Sequence, residues 1–524
     1  MGRLTTFSRF LITLLIVGGA YFGVRYLMNN TSTGKDLKTK AQSATSSDSQ
    51  YKGNSNSSAS DNDPDVIKIG VVTWGGYAGG QYFNEGFNAT TASRFYKDYG
   101  FKVAFKVLDD FEASRAAWKK GEVDLLWATA DAFPTESGAL KEFDPVVVFQ
   151  SDWSRGGDAI VVRRGINKVS DLRGMKIAVA EMTPSHSFLL WLLEAGGMTG
   201  KDIQIVKQAN AIDAAQVFKS QQVDAAVVWS PSDEECIQTV PGARVLESTR
   251  SASNIIADVF FAKRKYVEAN RARLVQLYEG WMKGAAEING SAVNKQKAAQ
   301  ILTDAFSGTT LDANTKSINN VRLCTHGDNL NFFGLNPEFK GVNGELLYNR
   351  MAQVYKNLGY ADAKTPSWKL ISDPSIVRAA QLTGATLLAE GQKTFTAATA
   401  EVQTSQAIAT KPVTIAFASG QSQLDENAKY IVDKEMVDLA RAFSNARIRV
   451  SGNTDNSGNP ATNKVLSLRR AQSVVEYLTH TYNMPRNRFV IMGFGSDKPV
   501  ADNNTEDGRA RNRRTDFEII SGGE

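Results

Sequence analysis

From residue 66 onward the apolar positions fall into short β-branched runs, separated by longer segments in which apolar residues recur every three or four places. IKIGVV (67–72), KVAFKVL (102–108), VDLLWAT (123–129), VVVF (146–149), AIVV (159–162), KIAVA (176–180) and DAAVVW (224–229) are predicted to be buried strands. Between them, FEASRAAWKKG, SHSFLLWLLEAGG and AIDAAQVFKSQQ carry helical spacing, with Gly121 and the Gly196–Gly197 pair where helix C-terminal signals belong. This is an α/β pattern, and its loops fall at strand C-terminal ends, where open α/β sheets take ligands. From Tyr266 longer amphipathic runs follow, YVEANRARLVQLYEGWMKGAAEI, KQKAAQILTDAF and GELLYNRMAQVYKNLGY, expected to pack around the first lobe. An Ala/Thr/Gln-rich stretch with weak periodicity reads as a partly helical connector over 386–412. VTIAFA, YIVDKEMVDLARAFSN, RIRVSGN, SLRRAQSVVEYLTHTY, RFVIMGFG and TDFEII then predict a compact α+β unit over 413–524.

The N-terminal pattern is different. Phe10 to Val24 is apolar, with Arg3 and Arg9 before it, which predicts an uncleaved transmembrane anchor over 1–28 with its N-terminus in the cytoplasm. The alternative, a cleaved signal peptide, lacks a clear A-x-A site, and no nearby cysteine offers lipid attachment. Gly19 and Gly23 form a GxxxG spacing through which two such helices could pair as a homodimer. Residues 29–65 are Ser/Asn/Asp/Lys-rich and almost devoid of apolar side chains, so they read as a disordered linker.

Composition narrows the function classes. With 42 % hydrophobic and 22 % charged residues, the 524-residue chain is globular, and 60 basic against 55 acidic side chains give only +5, which does not indicate a nucleic-acid surface. Two cysteines and three histidines, far apart, leave no recognisable metal site and no cofactor motif. Whether Cys236 and Cys324 pair or remain buried thiols is left open. No nucleophile, base and oxyanion donor set is recognisable, so no enzyme is expected.

GGDAIVVRRG (156–165), VSDLRGMKIAVAEMTPSHSFLLWLLE (169–194), QQVDAAVVWSP (221–231) and DNLNFFG (328–334), in that order, resemble the nitrate/sulfonate/bicarbonate class of periplasmic substrate-binding proteins. The resemblance covers most of 66–350 and implies a bilobed periplasmic-binding-protein fold, here assigned to 66–385 with a second lobe at about 156–257, closing on a small solute. In the loop EMTPSHS, Thr183, Ser185 and His186 stand at a helix start, where free N–H groups favour an anion; helix capping is the alternative use of Thr183 or Ser185. VVTWGGYAGG offers Trp74 and Tyr77 among four glycines that would let backbone approach a ligand. Trp153 and Trp229, the latter followed by Ser230, are candidate pocket walls, whereas Trp127 is expected in the core. Asp131 and Asp158 lie just past strand ends and would repel an oxyanion while attracting an amine or a cationic ring, so the expected solute is anionic, zwitterionic or an aromatic amine.

The last unit carries GNTD (452–455), Asn463, LSLRRAQSVVEYL (466–478), GFGSDKP (493–499), Asn504 and GRARNRR (508–514), and this series resembles the OmpA-like peptidoglycan-binding domain. The resemblance implies noncovalent binding of the diaminopimelate-containing stem peptide, with Asp455 and Arg470 matching the family's acid and base. Residue chemistry agrees. An ammonium and a carboxylate on one carbon need an anion and a planar cation side by side, with Thr454 and Asn463 as further hydrogen-bonding groups. A salt bridge across the turn is the structural alternative for Asp455 and Arg470. Leu468, Ala471, Val475 and Leu478 are expected to form a buried helix face that turns Arg470, rather than Arg469, towards Asp455; Arg511, Asn512 and Arg514 are expected inside the domain or at its rim.

Together these features predict a single-pass inner-membrane protein of a diderm bacterium, with most of the chain in the periplasm. It would act as a solute receptor fixed to peptidoglycan, signalling to an inner-membrane partner such as a permease or channel. The alternative is a structural tether or stator-like scaffold; residues 4–28 hold no Asp or Glu, which argues against ion conduction by this chain.

Overall fold

The structure, a computed structural model, describes residues 63–391, 393–418 and 420–520. The expected anchor over 1–28 and nearly all of the 29–65 linker lie outside the described residues. No helix among the described residues is long and apolar enough to cross a membrane.

In chain order, β1 (Val66–Val71), β2 (Lys102–Val107), β3 (Leu125–Thr129) and β4 (Pro145–Ser154) enter one sheet. A second sheet holds β5 (Asp158–Val162), β6 (Lys176–Ala180), β7 (Gln204–Gln208), β8 (Ala225–Trp229) and β9 (Arg244–Ser248), after which β10 (Ala257–Lys263) and β11 (Val321–Leu323) return to the first. The strand orders are β11-β4-β10-β3-β1-β2 and β7-β6-β8-β5-β9. β1 pairs in parallel with β2 and β3, while β10 is antiparallel to both β3 and β4. The chain therefore crosses between sheets twice, at 155–157 and at 249–256, giving two mixed α/β lobes.

The seven predicted strands of this region all form; all ten residues of β4 and all five of β5 are buried, whereas β2, at the edge of its sheet, buries only alternate residues. The pattern overlooks β7 and β9, the edges of the second sheet, which are half-solvated and so lack a continuous apolar run. It also overlooks β10, although this strand is central, because an aspartate opens it. Asp110 caps the helix Phe111–Lys120 by accepting from Ala113 N–H at 2.7 Å, and Gly121 ends it in the left-handed region.

Glycines in WGGYAGG serve packing rather than ligand approach. A Cβ on Gly80 would lie 2.4 Å from the Trp281 ring, and one on Gly284 would lie 2.2 Å from Gly79 O, so the helices Ala78–Phe83 and Arg271–Gly290 cross in direct contact. That approach drives Trp281 against Phe105, Phe149 and Phe260 of the first sheet. Cys236 and Cys324 are both buried free thiols.

A third sheet contains β12 (Ala407–Val413), β13 (Arg447–Asn453), β14 (Phe489–Gly495) and β15 (Thr515–Ile520) in the order β12-β15-β13-β14. Its first strand is not VTIAFA but the end of the stretch expected to be a connector, which pairs antiparallel with β15. Alternating exposure along β12 hid it from the apolar pattern. The helix expected over 430–445 is broken by a π turn at Asp433–Val437. Helix Pro460–Tyr482 lies on β13 and β14 with almost no gap: a Cβ on Gly452 would sit 2.1 Å from Ser467 O, and one on Gly493 2.5 Å from Leu468 N. Ala471, Val475 and Leu478 are buried as expected; Leu468 is exposed, and Ser467 and Val474 complete the buried face.

Polar contacts dock this unit on the preceding one. Arg350 stacks over Trp191 at 4.2 Å, pairs with Glu194 at 2.7 Å and pairs with Asp438. Lys411 bridges Glu435 at 3.0 Å and Glu194 at 3.5 Å. In the 249–256 crossover, Asn254 N–H donates to Ala442 O at 3.0 Å, Ser253 and Ser444 share a hydrogen bond at 2.8 Å, and the Ser444 hydroxyl also donates to Asn254 Oδ1.

Adding a carbon at Gly452 must move the helix backbone, so Gly452→Ala should lower stability by about 1–3 kcal/mol in denaturant unfolding. At Gly200 a Cβ meets nothing within 4 Å, and Gly200→Ala should be neutral.

Candidate functional site

Between the two lobes lies a narrow cavity of about 30 Å³. Trp74, Tyr77, Trp127 and Trp229 supply aromatic walls, and Thr129, Asp158 and Asp258 supply polar ones. The aromatic ends of β3 and β8 and the loop after β1 converge here because strand C-terminal ends in both sheets face the seam. Tyr77 is fully buried, and its hydroxyl donates to Asp258 Oδ1 at 2.7 Å. Trp74 Nε1 donates to Asp152 Oδ1 at 3.3 Å, and Ser154 Oγ donates to Asp158 Oδ2 at 2.7 Å. Asp131 accepts from Ala257 N–H at 3.4 Å through Oδ1, with the Ser187 and Thr129 hydroxyls also turned towards its carboxyl.

Several residues singled out in the sequence take other places. Trp153 packs edge-on against Phe332 at 5.8 Å and lines a separate cavity, away from the cleft. Ser185 accepts from Trp229 Nε1 at 2.9 Å, and Thr183 Oγ1 donates to Ala180 O at 2.7 Å without capping the helix Pro184–Ala195. His186 accepts from Met182 N–H at 3.3 Å and packs its ring against Tyr355 and Tyr360; burial pulls its pKa down to about 4, so it is neutral at ordinary pH. Ser230 accepts from Asn320 Nδ2 at 3.2 Å. Only Pro184 of this helix start lines the cleft, and proline has no N–H to offer an anion. Trp127, expected in the core, is a cleft wall although 3 % exposed. Asp152, Asp258 and Thr129 escaped the sequence reading; a lone Asp opening ADVFFAK was the available signal for Asp258.

Burial dominates the electrostatics of the seam. It pushes the carboxyls of Asp131, Asp152 and Asp158 up to about 7, and that of Asp258 well above the usual carboxylate range, where Asp152, Asp131 and Asp158 add repulsion.

In the C-terminal unit, Asp455 stands just past β13 and is 8 % exposed. Its Oδ1 accepts from Ser457 N–H at 2.9 Å, and its Oδ2 accepts from Arg513 at 2.7 Å. Burial alone would raise this carboxyl, yet the bonds from Arg513 and Ser457 hold it below its usual value. Arg470, half-buried on the facing helix, donates through Nε to Gln421 O at 3.0 Å and lies over the Phe417 ring at 4.8 Å. Among the described residues its two terminal nitrogens have no hydrogen-bond partner. Burial lowers its pKa, Asp455 draws it back up and Arg513 lowers it, so acid and both bases share one field. Thr454 Oγ1 donates to Asp455 O at 2.8 Å and Asn463 Nδ2 to Ser457 O at 2.8 Å, so both shape the turn. Arg513 is the residue that sequence reasoning missed. Asn512 and Arg514 are internal, holding Ala501 and Asp516.

For the seam, the raised pKa values mean that the folded chain keeps protons that the unfolded chain releases above about pH 4. Stability from these groups is full below that pH and is lost as pH rises through about 7. The ligand-free unfolding midpoint should therefore fall between pH 5 and pH 8, by roughly 5 °C or more. Asp131→Asn, which carries no proton to lose, should shrink the drop in a calorimetric pH series.

Comparison with known proteins agrees with this division of the chain. Residues 86–291 match the family described as NMT1/THI5 like, and residues 416–513 match the OmpA family. Outer membrane protein Omp38 of Acinetobacter baumannii is 40 % identical over 104 residues, 19 % of this chain and 29 % of that protein. The peptidoglycan-binding protein ArfA of Mycobacterium tuberculosis is 34 % identical over 105 residues, 20 % of this chain and 32 % of that protein. The chain thus spans about three-tenths of the length of the curated relatives it matches. The periplasmic aliphatic sulphonate-binding protein SsuA of Escherichia coli superimposes with a TM-score of 0.46 at 18 % identity, covering 59 % of this chain and 92 % of that one. This chain joins an NMT1/THI5-like domain to a C-terminal domain of the OmpA family.

Proposed function

We propose that this protein is a solute-binding receptor of the bacterial envelope, held noncovalently to peptidoglycan by its C-terminal domain. The observation that carries the attachment is the pairing at β13 and helix Pro460–Tyr482: a buried carboxylate at Asp455 beside an arginine, Arg470, whose terminal nitrogens are unpartnered among the described residues. An α-ammonium would meet Asp455 and an α-carboxylate the fork of Arg470, which are the two charges at one end of diaminopimelate. Arg513 orients Asp455 and keeps it ionised. That the peptidoglycan-binding protein ArfA shares this domain supports the same partner class. For the first domain, two sheets joined by two crossovers and facing each other across a lined cavity support a small-solute receptor. The reading extends to an inner-membrane anchor and a permease or channel partner through the apolar N-terminal stretch.

Purified sacculi should retain the full chain in a sedimentation assay. Asp455→Asn and Arg470→Ala should each reduce retention about tenfold or more, since each leaves one ligand charge unmatched. Arg513→Ala should weaken it less, and free diaminopimelate should compete where cadaverine, which has the ammonium groups but no carboxylate, does not. Undiminished retention by both Asp455→Asn and Arg470→Ala would sink the assignment.

A further inference from the structure

We propose that the inter-lobe cleft takes a small organic cation, its ammonium group seated between the rings of Trp74, Tyr77 and Trp229 and the carboxylates of Asp158 and Asp258. The inference rests on the reading of this domain as a solute receptor and adds the charge class of its ligand. Aromatic faces attract cations through their negative π clouds, and the attraction grows where water is excluded. Here four aromatic side chains and two carboxylates line one space, and no lysine or arginine does. Asp131 and Asp152 stand close enough behind the wall to act on Asp258. Arg115, which lies over the Trp127 ring at 4.9 Å, is already neutralised: it donates to both carboxylate oxygens of Glu136 at 2.7 Å, and its charge reaches Tyr77 only weakly against those of Asp258 and Asp152.

The site also lacks its full set of hydrogen bonds. Thr129 Oγ1, buried on the cavity wall, is turned towards the Asp131 carboxyl behind it. Asp258 accepts from Tyr77 through Oδ1 alone among side chains, and Asp158 accepts from Ser154 through Oδ2 alone. Acceptors in excess of donors, in a dry space, are what an N–H-bearing or methylated cation satisfies. An oxyanion finds few donors: Pro184, the residue of this helix start on the cavity wall, has no N–H, the amides of His186 and Ser187 bond to Thr183 O, and the Ser185 oxygen accepts from Trp229 Nε1.

The test is a thermal-shift and calorimetric series on the full chain with methylammonium, tetramethylammonium and choline chlorides, against taurine, nitrate and neutral 4-aminopyrimidine. Expected are a raised unfolding midpoint with one or more of the cations only, and affinity about tenfold tighter at pH 8 than at pH 5, because protonated carboxyls attract a cation poorly. Asp158→Asn and Asp258→Asn should each weaken binding by about tenfold; Asn is isosteric with a protonated acid, and an intact unfolding transition checks the fold. Trp229→Leu, which keeps every carboxylate, should also lose affinity. Stabilisation by taurine, nitrate or aminopyrimidine in place of the cations would overturn the cation assignment and leave the receptor reading standing. No stabilisation by any of the six would overturn both.

Discussion

Burying an ionised carboxylate costs several kcal/mol unless donors or a cation meet it, and the seam between the lobes holds Asp131, Asp152, Asp158 and Asp258 within electrostatic reach of one another. Tyr77, Ser154, Trp74, Ser151 and the Ala257 amide give each of these groups only one or two hydrogen bonds, which is too few for four anions. The alternatives are protonation or a counter-charge. This constraint fixes the first domain's pH behaviour, and it sets the chemistry that the cleft can accept. It also fits a helix start at Pro184–Ala195 whose His186 and Ser187 amides turn back to Thr183 O, since a positive end aimed at an anion would be out of place beside four acids.

The C-terminal domain meets the converse requirement. There a single acid is wanted in its ionised form, and Arg513 keeps it so from the far side, leaving the face towards Arg470 available. The geometry depends on contact between helix Pro460–Tyr482 and the strands beneath it, which Gly452, Gly493 and Gly495 permit by lacking a side chain. Glycines beneath one helix thus help set how close that helix, with Arg470 on it, comes to the strand leading to Asp455.

Sequence patterns carried the alternating α/β order, the long helices and four of the six elements predicted for the C-terminal unit, because buried runs of Val, Ile and Leu announce themselves at either period. What they missed has physical causes. β7, β9 and β12 are edge strands with one face in water, and β10 hides its centrality behind Asp258. Site residues divided the same way. Trp74 and Tyr77 follow β1, Asp158 opens β5 and Trp229 closes β8, and all four reach the cleft, whereas Thr183, Ser185 and His186 after β6 and Ser230 after β8 are engaged in other bonds. Side-chain direction decides between these outcomes, and a single sequence does not encode it at a loop. Arg513 was lost among the other arginines of GRARNRR for that reason, since only the fold tells which of them faces Asp455.

The crossover at 249–256 is one of only two strands of chain by which the lobes are hinged, and Ser444 of the C-terminal domain grips it. Three hydrogen bonds hold Ser253 and Asn254 to that domain, each worth about 0.5–1.5 kcal/mol. A rotation of the second lobe about its hinge must therefore carry Ser444 along or break those bonds. Opening of the cleft and seating of the C-terminal domain are two doors hung on one post, and strain applied to either is felt in the other.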